Sequence, residues 1–168
     1  MRKFTALDAD PARLDEHEQN FVAKVREFGW LATQVAGDKQ GPEFSYTSGL
    51  WLKFAFPEIV LFGLARQVAH DTFWHIYREL EAVKRFAIGT REDAIFENVP
   101  AVLLPVSTQH YRDHLGWSRW FYGNDDFQCL QLIFPDSSGL FPWEGASEGF
   151  CALQPDLTSG NWSGRRYH

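Results

Sequence analysis

A change of hydrophobic period narrows the fold most. Residues 59–64 read IVLFGL, an almost unbroken apolar run of strand length, and residues 65–87 then place Phe73, Ile76, Leu80, Val83 and Ala87 at steps of three and four. A short continuous apolar run suits a strand covered on both faces, whereas three-and-four spacing lays one apolar stripe along a helix. Neither element can bury its apolar surface alone, so the chain is expected to layer helices on a sheet. Gly89 is the expected stop of this helix. Trp74 falls well away from the stripe, near His70 and Tyr77, which suggests that a second element or another subunit covers that side.

The remaining elements follow from local signals. Asp10 and Pro11 resemble a helix start and Gly29 a stop, with Leu14, Phe21, Val25 and Phe28 on one stripe between them. His17 shares that stripe and is expected to be packed, one ring nitrogen bonded to backbone. WLATQVA, the loop GDKQGPE and FSYTSGLW then suggest a β-hairpin, with Gly49 marking a bulge or strand end. AVLLPV is a further strand, entered through Pro100, and Pro105 suits its edge or end. Ser107 or Thr108 is placed to cap a helix running to about Tyr122, weakest at Gly116. FQCLQLIF is the last long strand, and it puts Gln128 and Gln131 on opposite faces, so at least one amide needs a buried partner. With no repeat and no linker, residues 1–168 are expected to form a single α+β domain, a mostly antiparallel sheet with helices packed against it. A parallel pair in the second half is the alternative.

Composition then limits the function classes. The 168 residues include 15 Phe, 7 Trp and 5 Tyr, more aromatic surface than a minimal core needs, so some is expected to line a cleft or interface. A formal charge of −6 argues against nucleic-acid partners, which require a basic surface. No apolar run approaches a membrane span, and MRKF leads into acidic sequence rather than a secretory leader, so no membrane partner and a cytoplasmic location are expected. Cys129 and Cys151 sit in apolar settings without metal-ligand or redox spacing and are expected to be reduced. There is no G-x-S-x-G elbow, no G-x-G-x-x-G and no P-loop, so no cofactor is expected.

Several residues remain as site candidates. His110 and His114 are four apart, which on a helix brings two imidazoles to one face as potential metal ligands, although Tyr111 stands where a metalloprotease carries its glutamate. His70 and His75 lie on the two flanks of the long helix, too far around it to share an ion. Tyr46 and Thr47 are successive strand residues and face opposite sides, and Gly49 would let a ligand or a neighbouring backbone come close. Glu58 and Asp136 each follow a proline beside a buried strand, where partial desolvation raises a carboxyl toward acid/base use. For Asp136 the competing explanation is turn chemistry in P-D-S-S-G.

These residues also resemble a family pattern. Phe44-Ser45-Tyr46-Thr47-Ser48-Gly49-Leu50 and Pro57-Glu58-Ile59-Val60-Leu61-Phe62-Gly63-Leu64 are similar to the opening signature of the bacterial family catalogued as domain of unknown function 4262. Phe121-Tyr122-Gly123, Gln131-Leu132-Ile133-Phe134-Pro135-Asp136, Gly139, Phe141-Pro142-Trp143 and Gln154-Pro155 are similar to its later signature. The resemblance runs from about residue 30 to 154. It departs at Ala55-Phe56, where the family often has histidine and proline before the glutamate, which removes a histidine from that position. It implies no reaction, but it adds Gln131, Asp136, Gly139 and Trp143 to the positions of interest. The expected function is a binding or interaction module that holds a small molecule, peptide or protein in an aromatic groove near Tyr46, Trp120, Tyr122 and Trp143, with Thr47, Gly49 and Gln131 beside it. The alternative is a hydrolase or group transferase that uses Glu58 or Asp136 with His70. A homodimer through Trp74 is a further expectation.

Overall fold

The computed structural model describes residues 4–160 and Trp162, so the reading of the opening MRKF falls outside the described residues except at Phe4. Helix α1 (Glu16–Phe28) starts with a reciprocal cap between Asp15 and Glu18 and ends at Gly29, whose φ of 85° is left-handed. The glycine stop is the predicted one. The start differs, because Asp10 and Pro11 open a separate 3₁₀ turn (Pro11–Arg13) that ends at Leu14. With Leu14 outside the helix, Phe21, Val22 and Val25 set the buried face, and His17 is exposed rather than packed.

Strands β1 (Leu31–Val35) and β2 (Phe44–Ser48) form the predicted antiparallel hairpin. At Gly49 the chain turns into a short helix, α2 (Leu50–Phe54), where the sequence suggests more strand. Strand β3 (Glu58–Phe62) leads into α3 (Arg66–Glu81), which buries Phe73, Ile76 and Leu80 as predicted. It stops earlier than Gly89, since Val83 is left-handed (φ 64°) and 81 % exposed. Gly89 instead donates its amide to the Leu103 carbonyl (2.8 Å), tying the chain to the sheet.

Strand β4 (Arg91–Phe96) is not evident from the sequence; it pairs only with β5 (Val99–Pro105) and carries mostly exposed polar side chains. Such a charged edge strand lacks the apolar alternation that marks a half-buried one and resists pairing with other chains. The single helix expected from 107 to 122 is broken: a 3₁₀ turn and α4 (Tyr111–His114) are followed by Leu115, at φ −117° and ψ 40°, and then α5 (Gly116–Tyr122). Burial of both Tyr111 and Leu115 is what the break achieves, with the Tyr111 hydroxyl donating to the Phe127 carbonyl at 2.9 Å. Strand β6 (Cys129–Ile133) and α6 (Glu148–Leu153) complete the chain.

The six strands form one sheet in the order β1-β2-β3-β6-β5-β4, antiparallel except for the central β3–β6 pair. The result is a single α+β domain in which the parallel pair, the second choice from sequence, joins two antiparallel flanks. One face packs Ile59, Leu61, Leu103, Leu130 and Leu132 against Phe73, Ile76 and Leu80 of α3. Each such side chain contributes about 1.5–3 kcal/mol when fully buried, against about 0–1 kcal/mol for an exposed ion pair such as Arg119–Asp125. Apolar packing therefore positions α3. The opposite face is divided: α1 and α5 cover Tyr46, Val60 and Phe62, while Phe141 and Trp162 cover Val102, Leu104 and Ile133. Among the described residues no helix is long and apolar enough to cross a membrane.

Candidate functional site

Glu58 is fully buried and surrounded by donors. Its Oε1 accepts from the Thr47 hydroxyl (2.8 Å) and the Leu50 amide (3.2 Å), and its Oε2 from the amides of Gly49 (3.0 Å) and Trp51 (3.1 Å) and from the Tyr122 hydroxyl. Short helices leave their first amides unpaired, and here one carboxylate closes those of α2. The Tyr122 oxygen in turn accepts from Leu52 N (3.2 Å) and Gly49 N (3.3 Å), and Thr47 Oγ1 accepts from Ile59 N (2.9 Å). Burial pushes the Glu58 carboxyl up to about 6, opposed by its bonds from Tyr122, Trp51, Thr47 and Gly49. Burial, then the negative charge of Glu58, raises the Tyr122 phenol far above its ordinary value. A carboxylate so enclosed holds a corner of the fold and has no exposed oxygen with which to meet a substrate.

That corner sets a second feature. Gly49 lies at φ 114°, and a Cβ there would fall 2.7 Å from the Gly29 carbonyl oxygen and 3.0 Å from Trp30 Cα. The close approach expected at Gly49 is thus that of a neighbouring backbone, and it seats Trp30 against the sheet. The Trp30 ring lies nearly parallel to His70 (6.0 Å, 30°) and Tyr77 (5.9 Å, 25°) and perpendicular to Trp74 (5.3 Å, 89°). Phe28 meets Trp74 edge-on (6.2 Å, 88°), and the Arg78 guanidinium lies over the Trp74 ring at 5.2 Å. Trp74 is therefore partly covered within one chain, by residues on either side of the α1–β1 turn, and its remaining surface borders a cleft.

Beside these rings is a cleft of about 380 Å³ between α3 and the β1–β2 hairpin. Ala32, Gln34 and Ser45 form its floor, where the Ser45 hydroxyl donates to Gln34 Oε1 and Gln34 Nε2 reaches Glu43 at 3.5 Å. Trp30, Phe73 and Trp74 supply apolar walls, and Lys24, Arg66 and His70 stand around it. His70 Nε2 accepts from the Trp74 indole N–H at 3.0 Å, which leaves the ring proton on Nδ1. The indole nitrogen of Trp30 is buried without a hydrogen-bond partner among the described residues.

Of the residues proposed for catalysis, only His70 borders this cleft. Glu58 begins β3, opposite Cys129 at the start of its parallel neighbour, whereas Asp136 lies beyond the far end of that neighbour. Asp136 accepts from Ser138 N and Leu140 N (both 2.9 Å) ahead of Gly139 at φ 84°, so turn chemistry accounts for it. The three do not form an acid/base set.

The groove expected near Tyr46, Trp120, Tyr122 and Trp143 does not form either. Tyr46 and Tyr122 are core residues, the Tyr46 oxygen accepting from Trp117 N at 2.9 Å, and Trp120 packs edge-on against Phe21 and Trp117. Trp143 belongs to another cluster, stacked on Phe141 (5.0 Å, 7°). Thr47 and Gly49 fall in the Glu58 network, and Gln131 binds Pro155 O (2.6 Å) and Leu157 N (3.0 Å), satisfying the buried amide predicted for β6.

His110 and His114 are neighbours (ring centroids 6.1 Å apart), but His114 Nδ1 contacts the His110 carbonyl (3.0 Å) and its ring packs on Phe44 and Phe62. Among the described residues no group of three or more potential ligands gathers around them. Both cysteines are free, and burial raises the Cys129 thiol well above its ordinary value.

Sequence reasoning missed Trp30, Lys24, Arg66, Gln34 and Ser45. One signal was available, the row Arg66, His70, Trp74 and Arg78 at steps of four along α3, which lines one side of a helix with polar and aromatic groups.

A family model described as domain of unknown function (DUF4262) matches residues 24–148, a span that includes every residue of the Glu58 network and of the cleft. No curated protein and no solved structure matches the chain.

Proposed function

This chain belongs to the DUF4262 family, and we propose that it is a cytoplasmic binding module that holds a small ligand in the cleft between α3 and the β1–β2 hairpin. The observation that carries this is the cleft itself: about 380 Å³, walled by Trp30, Phe73 and Trp74 over a Gln34–Ser45 floor. Sites for small molecules are concave, mostly apolar and equipped with a few convergent polar groups, in volumes of about 300–1,000 Å³. Part of the aromatic excess in the sequence lies here, at Phe28, Trp30, Phe73 and Trp74 rather than at Tyr46, Trp120, Tyr122 and Trp143. One chain suffices to build the cleft, and its acidic net charge agrees with a partner other than nucleic acid. Hydrolysis or group transfer has less support, because Glu58 and Asp136 are both engaged elsewhere and neither reaches His70.

Thermal-shift screening of the full chain against a metabolite library, followed by calorimetry of the hits, tests the proposal. Ala32→Phe fills the floor of the cleft and is the control. Hits that bind saturably to the native chain and are lost in Ala32→Phe, with the circular dichroism of the fold retained, support it. Hits that all keep their affinity in Ala32→Phe overturn it.

A further inference from the structure

Granting that the cleft holds a small ligand, we infer that the ligand is a planar aromatic acid, its carboxylate held by Lys24 and Arg66 and its ring seated against Phe28 and Trp74. Charge comes first. The chain has 22 acidic and 16 basic residues, yet Lys24 and Arg66 line the cleft and no aspartate or glutamate does. Neither cation makes an ion pair with a described carboxylate. Glu43 reaches the floor through the Gln34 amide, at 3.5 Å. A cleft lined by charge of one sign focuses ligands of the other.

Direction follows from α3. Arg66, His70 and Trp74 are each four residues apart and so rise along one side of the helix, from guanidinium to imidazole to indole. His70 Nδ1–H, left as a donor by the bond from Trp74, has no partner among the described residues and stands between the two ends. The first turn of α3 has neither a side-chain cap nor an acidic residue, so its positive end reinforces Arg66. The acid group thus belongs toward the start of α3 and the ring toward Trp74.

Shape supplies the ring. Trp30 and Trp74 meet at 89° with centroids 5.3 Å apart, and Phe28 and Phe73 extend the two walls. Trp30 is only 3 % exposed, its ring already packed against His70 and Tyr77, so a flat ring entering the cleft meets the exposed Phe28 and the half-buried Trp74, with stacked and edge-on contacts the arrangements aromatic pairs prefer. A bare inorganic anion would leave this wall empty, and a neutral ring would leave both cations unused. The volume of about 380 Å³ accommodates an acid of one or two rings.

Isothermal titration calorimetry of the full chain with 2-naphthoate, its neutral amide 2-naphthamide and inorganic phosphate tests this. The expected result is saturable binding of the naphthoate at least tenfold tighter than either of the others, loss of that binding in Ala32→Phe, and a fall to the amide's affinity in the double variant K24Q/R66Q. Both substituted residues are exposed, so the double variant is expected to fold. Equal affinity for acid and amide, tighter binding of phosphate than of naphthoate, or undiminished naphthoate binding in K24Q/R66Q would overturn the inference. So would the absence of naphthoate binding. If the metabolite screen still yields a ligand that Ala32→Phe excludes, only the chemical class is lost and the binding module stands; if it yields none, both fall.

Discussion

Tyr122 on α5 donates its phenolic hydrogen to the Glu58 carboxylate at the start of β3, a bond between side chains 64 residues apart that is wholly buried. The same phenolic oxygen takes the amides of Gly49 and Leu52, so one hydroxyl joins a helix, a strand and a turn. Tyr122→Phe removes that oxygen while keeping the ring. A buried hydrogen bond to a charged partner is worth about 1.5–3 kcal/mol, and the amides left behind lose a partner as well. We therefore expect urea denaturation to show Tyr122→Phe destabilised by about 2–3 kcal/mol. Glu58→Ala, which strands five donors, should lose more than that. Equal stabilities for Tyr122→Phe and the native chain would mean that the network contributes nothing.

The charge of Glu58 gives the network a pH dependence of known sign. Burial raises its carboxyl from 4.5 to about 6 in the folded chain, so the folded state holds the proton more tightly than the unfolded state. The stabilising contribution is then fully present below 4.5 and is lost as the pH rises through about 6. This shift corresponds to on the order of 2 kcal/mol. Glu58→Gln cannot titrate at this position, and the other ionising groups are common to both proteins. On going from about pH 7 to pH 4.5, urea midpoints should therefore move in favour of the native chain relative to Glu58→Gln by on the order of 2 kcal/mol. A gap between the two proteins that stays constant over this range would show that the carboxylate titrates elsewhere.

Gly49 links the network to the cleft, and its substitution separates crowding from backbone strain. Gly49 and Gly139 are both left-handed, at φ 114° and 84°. A Cβ at Gly49 would strike the Gly29 and Trp30 backbone, whereas one at Gly139 meets nothing within 4 Å. Gly139→Ala should cost only the conformational strain, about 1–2 kcal/mol. Gly49→Ala should cost about 2–4 kcal/mol, because backbone atoms cannot rotate aside as a side chain can. It should also change the near-ultraviolet circular dichroism contributed by Trp30. Equal costs for the two substitutions would show that the close approach at Gly49 relaxes without penalty.

What the sequence made legible was local in origin. The β1–β2 hairpin, α3 and the turn at Asp136 each follow from period, glycine placement or turn chemistry within a short window. α2 did not, since LWLKF is as apolar and aromatic as a strand and its helical start depends on Glu58, which follows it, and on Tyr122, which is remote. β4 escaped because its polar edge carries no alternation. The cleft was hidden for a related reason: Lys24, Trp30, Ser45 and His70 come from α1, the α1–β1 turn, β2 and α3, and only the arrangement of α1, the hairpin and α3 brings them together. Of the residues that the family resemblance added, Gln131 lies in a hydrogen-bond network that holds the fold, Asp136 and Gly139 in a turn and Trp143 in an aromatic cluster. Its motifs also span Gly49, Glu58 and Tyr122 of the buried carboxylate network.

Gln131 belongs to a second such network and allows a prediction about the end of the chain. It lies on β6 between the two clusters of its face, where its side chain donates to Pro155 O (2.6 Å) and accepts from Leu157 N (3.0 Å). Gln154 binds Phe134 N (3.2 Å) and O (2.9 Å) in the same manner, and Ser107 N donates to Leu157 O at 2.8 Å. Residues 154–158 are thus strapped over β6 by two glutamines, one on the sheet and one on the strap. Gln131→Leu preserves the volume of the side chain but leaves the partly buried Pro155 carbonyl and the buried Leu157 amide unpaired. Each costs about 1–3 kcal/mol if the strap stays down. Lifting the strap avoids that penalty by rehydrating both groups. Local opening should therefore be the cheaper outcome, and hydrogen exchange at Leu157 should accelerate by at least about tenfold while the amides of α3 change only with global stability. Gln154→Leu should produce the same pattern through the other anchor. Uniform acceleration across the sheet and α3 would instead show that the strap cannot open without unfolding the domain.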